Sequence, residues 1–471
     1  MMVIMKKNLA DYTTKQTICL FIISAVLFME NIDAHILNVA IPQMATTFAT
    51  SVFTLKLAVT SYLIGLSIFI PISGWIADKY GTRNTLIVSI VLFTILSFSC
   101  GITNSVVMLI VCRMLQGVAG AFMVPIGRLL LLKIFDKSQM VKAYTIMGMP
   151  VMIAPIVAPI LGGYLVTYFS WRYIFWVNIP VGLLVLFVTI KHIDNYTAES
   201  QRFNLVSFVF LSLFICSVSL FLDILFLAEI LIWFKLALAL FMLVSGLVYF
   251  YYERSIDNKV IKYHLFKIRT FSTTFISTII VRASLGGRAF IIAVFLEICF
   301  HLSAFDAGFY FIWMSIGVLT SRTIVRKFLD KHGFKKTLTV ANLGSCGALL
   351  LLVFSGDLGI IFHIALYLNG FFASAQFMSM NILYYADVPK EDYSAAVSLV
   401  ATWQQLGTSL GVIVAAGALH IFSGLYGHGL HATLPFYLVF IVLSGINLCS
   451  QFFIGKLDNQ DGNSLLKPKV S

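Results

Sequence analysis

From Ile18 to Gly455 the sequence is a succession of apolar blocks, each long enough to cross a hydrocarbon layer ~30 Å thick as a helix of about 20 residues. They fall near 17–40, 52–77, 84–103, 106–132, 141–168, 172–190, 203–223, 228–252, 271–298, 304–325, 337–355, 359–386, 393–422 and 434–455, fourteen in all. Of 471 residues 60% are hydrophobic and 11% charged, where a soluble domain carries about 25% charged residues. No water-soluble fold hides that much apolar surface. The expected fold class is an all-α polytopic membrane protein with 14 transmembrane helices.

The basic residues set the orientation. With the N-terminus inside, twenty-five Lys and Arg from Lys6 to Lys469 fall in cytoplasmic segments, against Lys56 and Arg172 in the opposite loops. That is a strong positive-inside bias, and it places both termini in the cytoplasm. The net charge of +12 would point to nucleic acid in a soluble chain; here its distribution around lipid accounts for it, and no nucleic acid is expected. MMVIMKKN precedes the first block without a small-residue cleavage site after it, so that block reads as an uncleaved helix. Seven scattered cysteines with no CxxC pair read as small buried hydrophobes, not as a disulfide frame or a metal site. GWIADKYGTRNTL (Gly74–Leu86) after the second block is echoed by RKFLDKHGFKKTL (Arg326–Leu338) after the tenth. Six-helix halves repeated in parallel are expected of one large transporter class; an offset of eight leaves two extra helices between the halves.

Seven stretches carry a resemblance. Ile32-Asp33 through Ile41-Pro42 is similar to an LDxTxxNxALP first-helix signature. Gly74–Arg83, with Asp78 and Gly81, resembles GxxaDrxGrr. Arg113, Gln116 and Gly117 match RxxQG in the fourth helix, and Ala158-Pro159-Ile160-Leu161-Gly162-Gly163 resembles the fifth-helix GPxxGG. Trp171–Gly182 is similar to WRxxFxxNxPxG, and LFKIRTFS and WQQLGTSLG match the openings of helix nine and the middle of helix thirteen. In this order, over nearly the whole chain, they resemble the fourteen-helix drug:proton antiporters of the major facilitator superfamily, most of all the MdtD-type multidrug exporters. His35 stands where the family has Thr, Glu30 is an added carboxylate, Ala158 replaces the first Gly of GPxxGG, and Arg326 the first Gly of the second loop.

The resemblance implies the major facilitator fold: a six-helix bundle over 1–195, two linker helices over 196–255, a second six-helix bundle over 256–457 and a cytoplasmic tail over 458–471. A cavity near the bilayer midplane lies between the bundles.

The first block contains Glu30, Asn31, Asp33, His35 and Asn38, although a charge at the bilayer centre costs roughly 2.5–3.5 kcal/mol on insertion scales. Glu30 and Asp33 stand three apart and share a helix face. Burial disfavours a carboxylate's anion, and two neighbouring carboxyls titrate as a unit, so such a pair can load a proton on one side and release it on the other. Asp33 serves either this proton coupling or a fixed pairing within the bundle; Glu30 either joins it or pairs with a basic neighbour. His35 relays protons or makes a helix–helix hydrogen bond. Arg113 inside the fourth span needs a carboxylate partner, and Asp33 is the natural one. The resemblance implies that Arg113 takes part in proton transfer; the alternative is a fixed ion pair.

Cargo-cavity candidates are Arg282, Gln404, Gln405 and Gln116. A cation at Arg282 favours anionic or zwitterionic cargo, unless Arg282 pairs within the C-terminal half. Arg288, six residues on, cannot squarely face the same cavity. Gln404 and Gln405 suit either cargo hydrogen bonding or helix packing. In GMPVMIAPIVAPILGG, Pro150, Pro155 and Pro159 remove backbone donors while Gly162 and Gly163 allow close approach. That helix suits a seam between rocking halves, or an ordinary kinked bundle helix; the resemblance implies a part in enforcing antiport. It assigns Gly74, Asp78, Gly81 and Arg83 to a cytoplasmic gate latch, with Asp330 as its echo. His420, His428 and His431 precede the last block in a Gly-rich loop without a carboxylate, and no metal is expected.

No GxxxxGK[ST] loop or large cytoplasmic segment exists to bind nucleotide, so transport runs on a gradient. One charge crossing 100 mV is worth about 2.3 kcal/mol and a pH unit roughly 1.4 kcal/mol more, enough for export. The leading expectation is a proton-coupled antiporter in the inner (cytoplasmic) membrane, exporting small organic molecules as a monomer without cofactor. A dedicated exporter of one anionic metabolite or metal chelate is the alternative. A membrane enzyme or a sensor is the third reading, with no nucleophile–base pair and no output domain to support it.

Overall fold

The computed structural model describes residues 12–199, 202–225, 230–256, 259–302, 304–426 and 433–466. Helix occupies each of the fourteen apolar blocks. Eleven helices among the described residues are long and apolar enough to cross a membrane. The other three blocks, fifth, seventh and tenth, are filled by Met140–Tyr168, Leu205–Ile224 and the first part of Ala304–Val353.

Local chemistry sets the ends. Thr13 and Gln16 form a capping box at the start of the first span, Thr14–Thr47. Ser105 caps the fourth, Val106–Ile134, through the amide of Met108. Pro71 sits in a 3₁₀ turn, Ile70–Ile72, that divides the second span into Val52–Phe69 and Ser73–Tyr80. The loop echo has a backbone counterpart. Gly81 (φ 90°, ψ 149°) ends the second span, and Gly333 (φ 76°, ψ 177°) breaks Ala304–Val353 into the tenth and eleventh spans. Both occupy a region open essentially to glycine alone, so the Asp-Lys-x-Gly frame is a repeated turn.

The pairings repeat eight spans apart. The first span packs on the fifth and sixth as the ninth, Arg269–Cys299, packs on the thirteenth and fourteenth, Tyr393–Tyr426 and Leu434–Gly455. The fourth span packs on the second and third, and the twelfth, Ile360–Leu383, packs on the long helix that forms the tenth and eleventh. Contacts between the halves follow the same symmetry: fifth against tenth and twelfth, thirteenth against second and fourth. The two extra helices, Leu205–Ile224 and Ile232–Arg254, pack on each other, and the seventh span leans on the second and thirteenth.

Polarity is inverted relative to a soluble protein. Trp233, Leu247 and Tyr251 of the eighth span are exposed, whereas Arg113, Gln116, Asn342, Asn369 and Gln376 are fully buried. An apolar exterior of this extent belongs in lipid. Both described ends of the chain lie at one end of the bundle: Tyr12 donates to the Gln139 carbonyl, and the turn Lys137–Gln139 packs on Asn463–Leu465.

Candidate transport cavity and buried charge network

Asp33 is 1% exposed and its partner Arg113 0%. Arg113 Nη1 donates to Asp33 Oδ2 at 2.5 Å and to Gln116 Oε1 at 2.9 Å. Asn178 Nδ2 and Gln116 Nε2 donate to Asp33 Oδ1 at 2.9 and 3.2 Å, and both also reach Ser97 Oγ. The guanidinium lies 4.3 Å from the centre of the Tyr62 ring. Two charges are thus neutralised and hydrogen-bonded in a dry site, the condition under which a buried pair is tolerated. The sixth span is steered there by its motif: the Trp171 amide donates to Gln43 Oε1 and its indole to Thr47 Oγ1, fixing the turn that leads to Asn178.

Glu30 lies elsewhere. It borders a cavity of about 1590 Å³ between the halves, while Asp33 points into the bundle. Three residues advance a helix by 300°, leaving about 60° between the two side chains; on a helix wedged between bundle and cavity, that separates a cavity-facing carboxylate from an enclosed one. Among the described residues Glu30 has no hydrogen bond or ion pair, and the charges acting on it are those of Arg128 and Asp33. His35 Nδ1 lies 2.7 Å from the Asn31 carbonyl within its own helix.

The same cavity is lined by Arg282, Gln404 and Gln405. Gln116 is not among its lining residues and belongs to the Asp33 network. Arg282 Nη2 donates to Gln404 Oε1 at 3.2 Å and its guanidinium stacks 4.5 Å from the Phe377 ring centre. Arg288 also borders the cavity, but its Nη2 turns to Ser345 Oγ at 2.9 Å and Ser284 Oγ at 3.4 Å. Arg128, not singled out in the sequence, donates from the fourth span to Gln404 Oε1 at 3.0 Å. Gln404 Nε2 donates in turn to Asn381 Oδ1 at 3.1 Å. An arginine in the apolar run PIGRLLLL was the signal available for Arg128; Asn178 lay inside a motif without a role attached to it.

The cavity is closed at the end that carries both described chain ends. Ser394 Oγ donates to Asp78 Oδ1 at 2.5 Å, Lys137 Nζ to the Ala386 carbonyl at 2.6 Å, and Thr145 Oγ1 to Met378 Sδ at 3.1 Å. Arg322, 1% exposed, donates to the carbonyls of Thr145 and Tyr144. Gly74 lets the second span approach the Ser394 backbone. Arg83 turns away from this contact to the Ile190 carbonyl at 2.5 Å. Asp330 is exposed, and no hydrogen bond or ion pair among the described residues involves it. At the other end Tyr168 and Glu297 line the cavity and are exposed. Gly162 packs against Ile36 of the first span and Gly163 faces the cavity; the side chains of Pro150, Pro155 and Pro159 lie outside the described residues. His428 and His431 also lie outside them, and no metal-binding group of His, Cys, Asp or Glu occurs among those described.

Two pseudo-symmetric helical halves around a shared cavity, closed at one end, define a membrane carrier of the alternating-access class. The sequence profile of the Major Facilitator Superfamily matches residues 19–265 and 270–465, and the chain belongs to that family. It is 35% identical over 405 residues to "Putative multidrug resistance protein MdtD" of Salmonella typhi, covering 86% of each chain, and equally to the protein of that name from Salmonella typhimurium. Its fold is that of the human organic anion transporter MFSD10 (TM-score 0.68, 12% identity, 94% of this chain and 100% of that one). The proton:xylose symporter XylE is similar too (TM-score 0.65, 13% identity, 97% of this chain and 100% of that one).

Proposed function

We propose that the protein is a proton-coupled antiporter of the multidrug-efflux type, exporting small organic molecules across the cytoplasmic membrane by alternating access. The observation that carries this reading is a dry Asp33–Arg113 pair one helical turn from a cavity-facing Glu30. In this mechanism Glu30 takes a proton from cavity water and passes it to Asp33. A neutral Asp33 abandons Arg113, and an uncompensated buried charge costs about 3–5 kcal/mol. The first, fourth and sixth spans, which hold the network, then rearrange. The fourth span also carries Arg128 into the cavity, which links the proton site to cargo. The positive-inside bias makes the closed, terminus-bearing end cytoplasmic, so the cavity faces outward in this conformation. One chain encloses the whole cavity, which supports a monomeric working unit. The MdtD name of the relatives supports the cargo class.

Everted vesicles with an acid lumen and a pH-reporting dye test the coupling against a panel of cationic dyes and organic acids. A compound that drains the gradient in wild type and not in Asp33→Asn is the expected result, with a slower response in Glu30→Gln. An unchanged response in Asp33→Asn would remove Asp33 from the coupling mechanism.

A further inference from the structure

Two guanidiniums from opposite halves meet on one uncharged oxygen at the cavity floor. Arg128 from the fourth span and Arg282 from the ninth both donate to Gln404 Oε1, at 3.0 and 3.2 Å, and their like charges oppose each other there. Neither forms an ion pair among the described residues. The Nε of each is buried and unpartnered. Arg288, 1% exposed, adds a third cation to the cavity wall; its Nε and Nη1 are also unpartnered, and serine hydroxyls are its hydrogen-bond partners. Against these three charges the floor holds one carboxylate, Glu30, whose opposing charge is Arg128. A second carboxylate, Glu297, lines the cavity at its exposed end. Buried cations in this arrangement leave a positive potential where cargo sits, and a planar oxyanion matches the forked donors of arginine.

Building on the transporter reading, we propose that Arg128 and Arg282 bind an anionic group of the cargo, a carboxylate or a phosphate, which replaces the shared Gln404 oxygen between them. Phe377 under Arg282, with Phe290 and Phe311 in the same wall, accepts the apolar remainder of the molecule. Because the two arginines belong to opposite halves, the anion bridges the surfaces that move against each other. Ionised Glu30 competes with the anion for Arg128, so this pair alone favours binding of anion and proton together. Exchange of the two is imposed by the separate Asp33 site, where protonation releases Arg113.

The test is equilibrium binding to purified full-length protein in nanodiscs, without any gradient, with 2-naphthoate, 2-naphthyl phosphate, the neutral 2-naphthamide and the cationic 2-naphthylmethylammonium. At least one of the two anions binds more tightly than amide and ammonium, and which one does names the carboxylate or the phosphate as the group recognised. Arg128→Gln and Arg282→Gln each weaken that anion roughly tenfold or more. Glu30→Gln tightens it, a gain that misfolding cannot produce. Anions that bind no better than the amide, or an ammonium that binds best, would overturn the site. Equal anion affinity in wild type and both arginine variants would do the same. Loss of this preference with vesicle antiport intact would sink the anion site alone; the preference without antiport would sink the coupling reading alone.

Discussion

Arg113 and Arg128 stand on one helix and meet opposite conditions. Arg113 has a carboxylate at 2.5 Å and an amide oxygen at 2.9 Å; Arg128 has half a share of one amide oxygen. Removing a partner from a buried pair leaves the other charge stranded, so Arg113→Leu should lower stability by about 3–5 kcal/mol. Adding Asp33→Leu should recover part of that loss, because two apolar groups leave no charge without a partner. Thermal unfolding of the detergent-solubilised protein reads both. If the double variant were as unstable as the single one, the network would owe its effect to packing and not to charge. Arg113→Lys should be intermediate: it keeps the charge and loses the planar fork that reaches Asp33 and Gln116 together.

The repeated turn belongs to the scale of the element. Gly81 and Gly333 hold positive φ at the corners that join second to third span and tenth to eleventh. A Cβ at either corner meets a backbone region closed to L side chains, and Gly333→Ala should cost about 1–3 kcal/mol, read as a lower melting temperature. At Gly81 the added carbon also meets the Asn195 side chain, whereas at Gly333 its nearest neighbour is the Asn459 carbonyl at 3.5 Å. Gly81→Ala should therefore be the more damaging of the two; the reverse order would mean that backbone conformation does not dominate at Gly333. The two loops share a turn without sharing its contacts. Asp78 receives the Ser394 hydroxyl, while Asp330 is exposed and the tenth span meets the fifth-span carbonyls through Arg322.

For the whole molecule the balance lies between few, specific contacts at the closed end and a wide cavity at the other. A hydrogen bond to a charged group contributes about 1.5–3 kcal/mol, so losing Ser394–Asp78 or the Arg322 donors should move the conformational equilibrium by about tenfold or more. Ser394→Ala and Arg322→Gln should each lengthen the distance between spin labels placed at residues 79 and 390, measured by pulsed electron resonance. An unchanged distance distribution in both variants would show that apolar packing alone holds this end shut.

Much of this was legible in the chain. Block length and hydropathy dictate membrane helices, since lipid offers the backbone no partners, and an arginine in an apolar run must find polar partners inside the bundle. The paired glycines could be read from the loop echo. Local patterning could not assign direction. Glu30 and Asp33 are three residues apart, yet one borders the cavity and the other lies in a buried network, because neighbouring helices decide which arc of the first span is covered. Gln116 is drawn to Asp33 and away from the cavity for the same reason. Arg128, Arg282 and Gln404 lie up to 276 residues apart and converge where the two halves meet. The sequence by itself determined the helical blocks and their order, because those are properties of single segments in lipid. The charge clusters and the closed end were decided by tertiary structure, since they exist between segments and are set by packing.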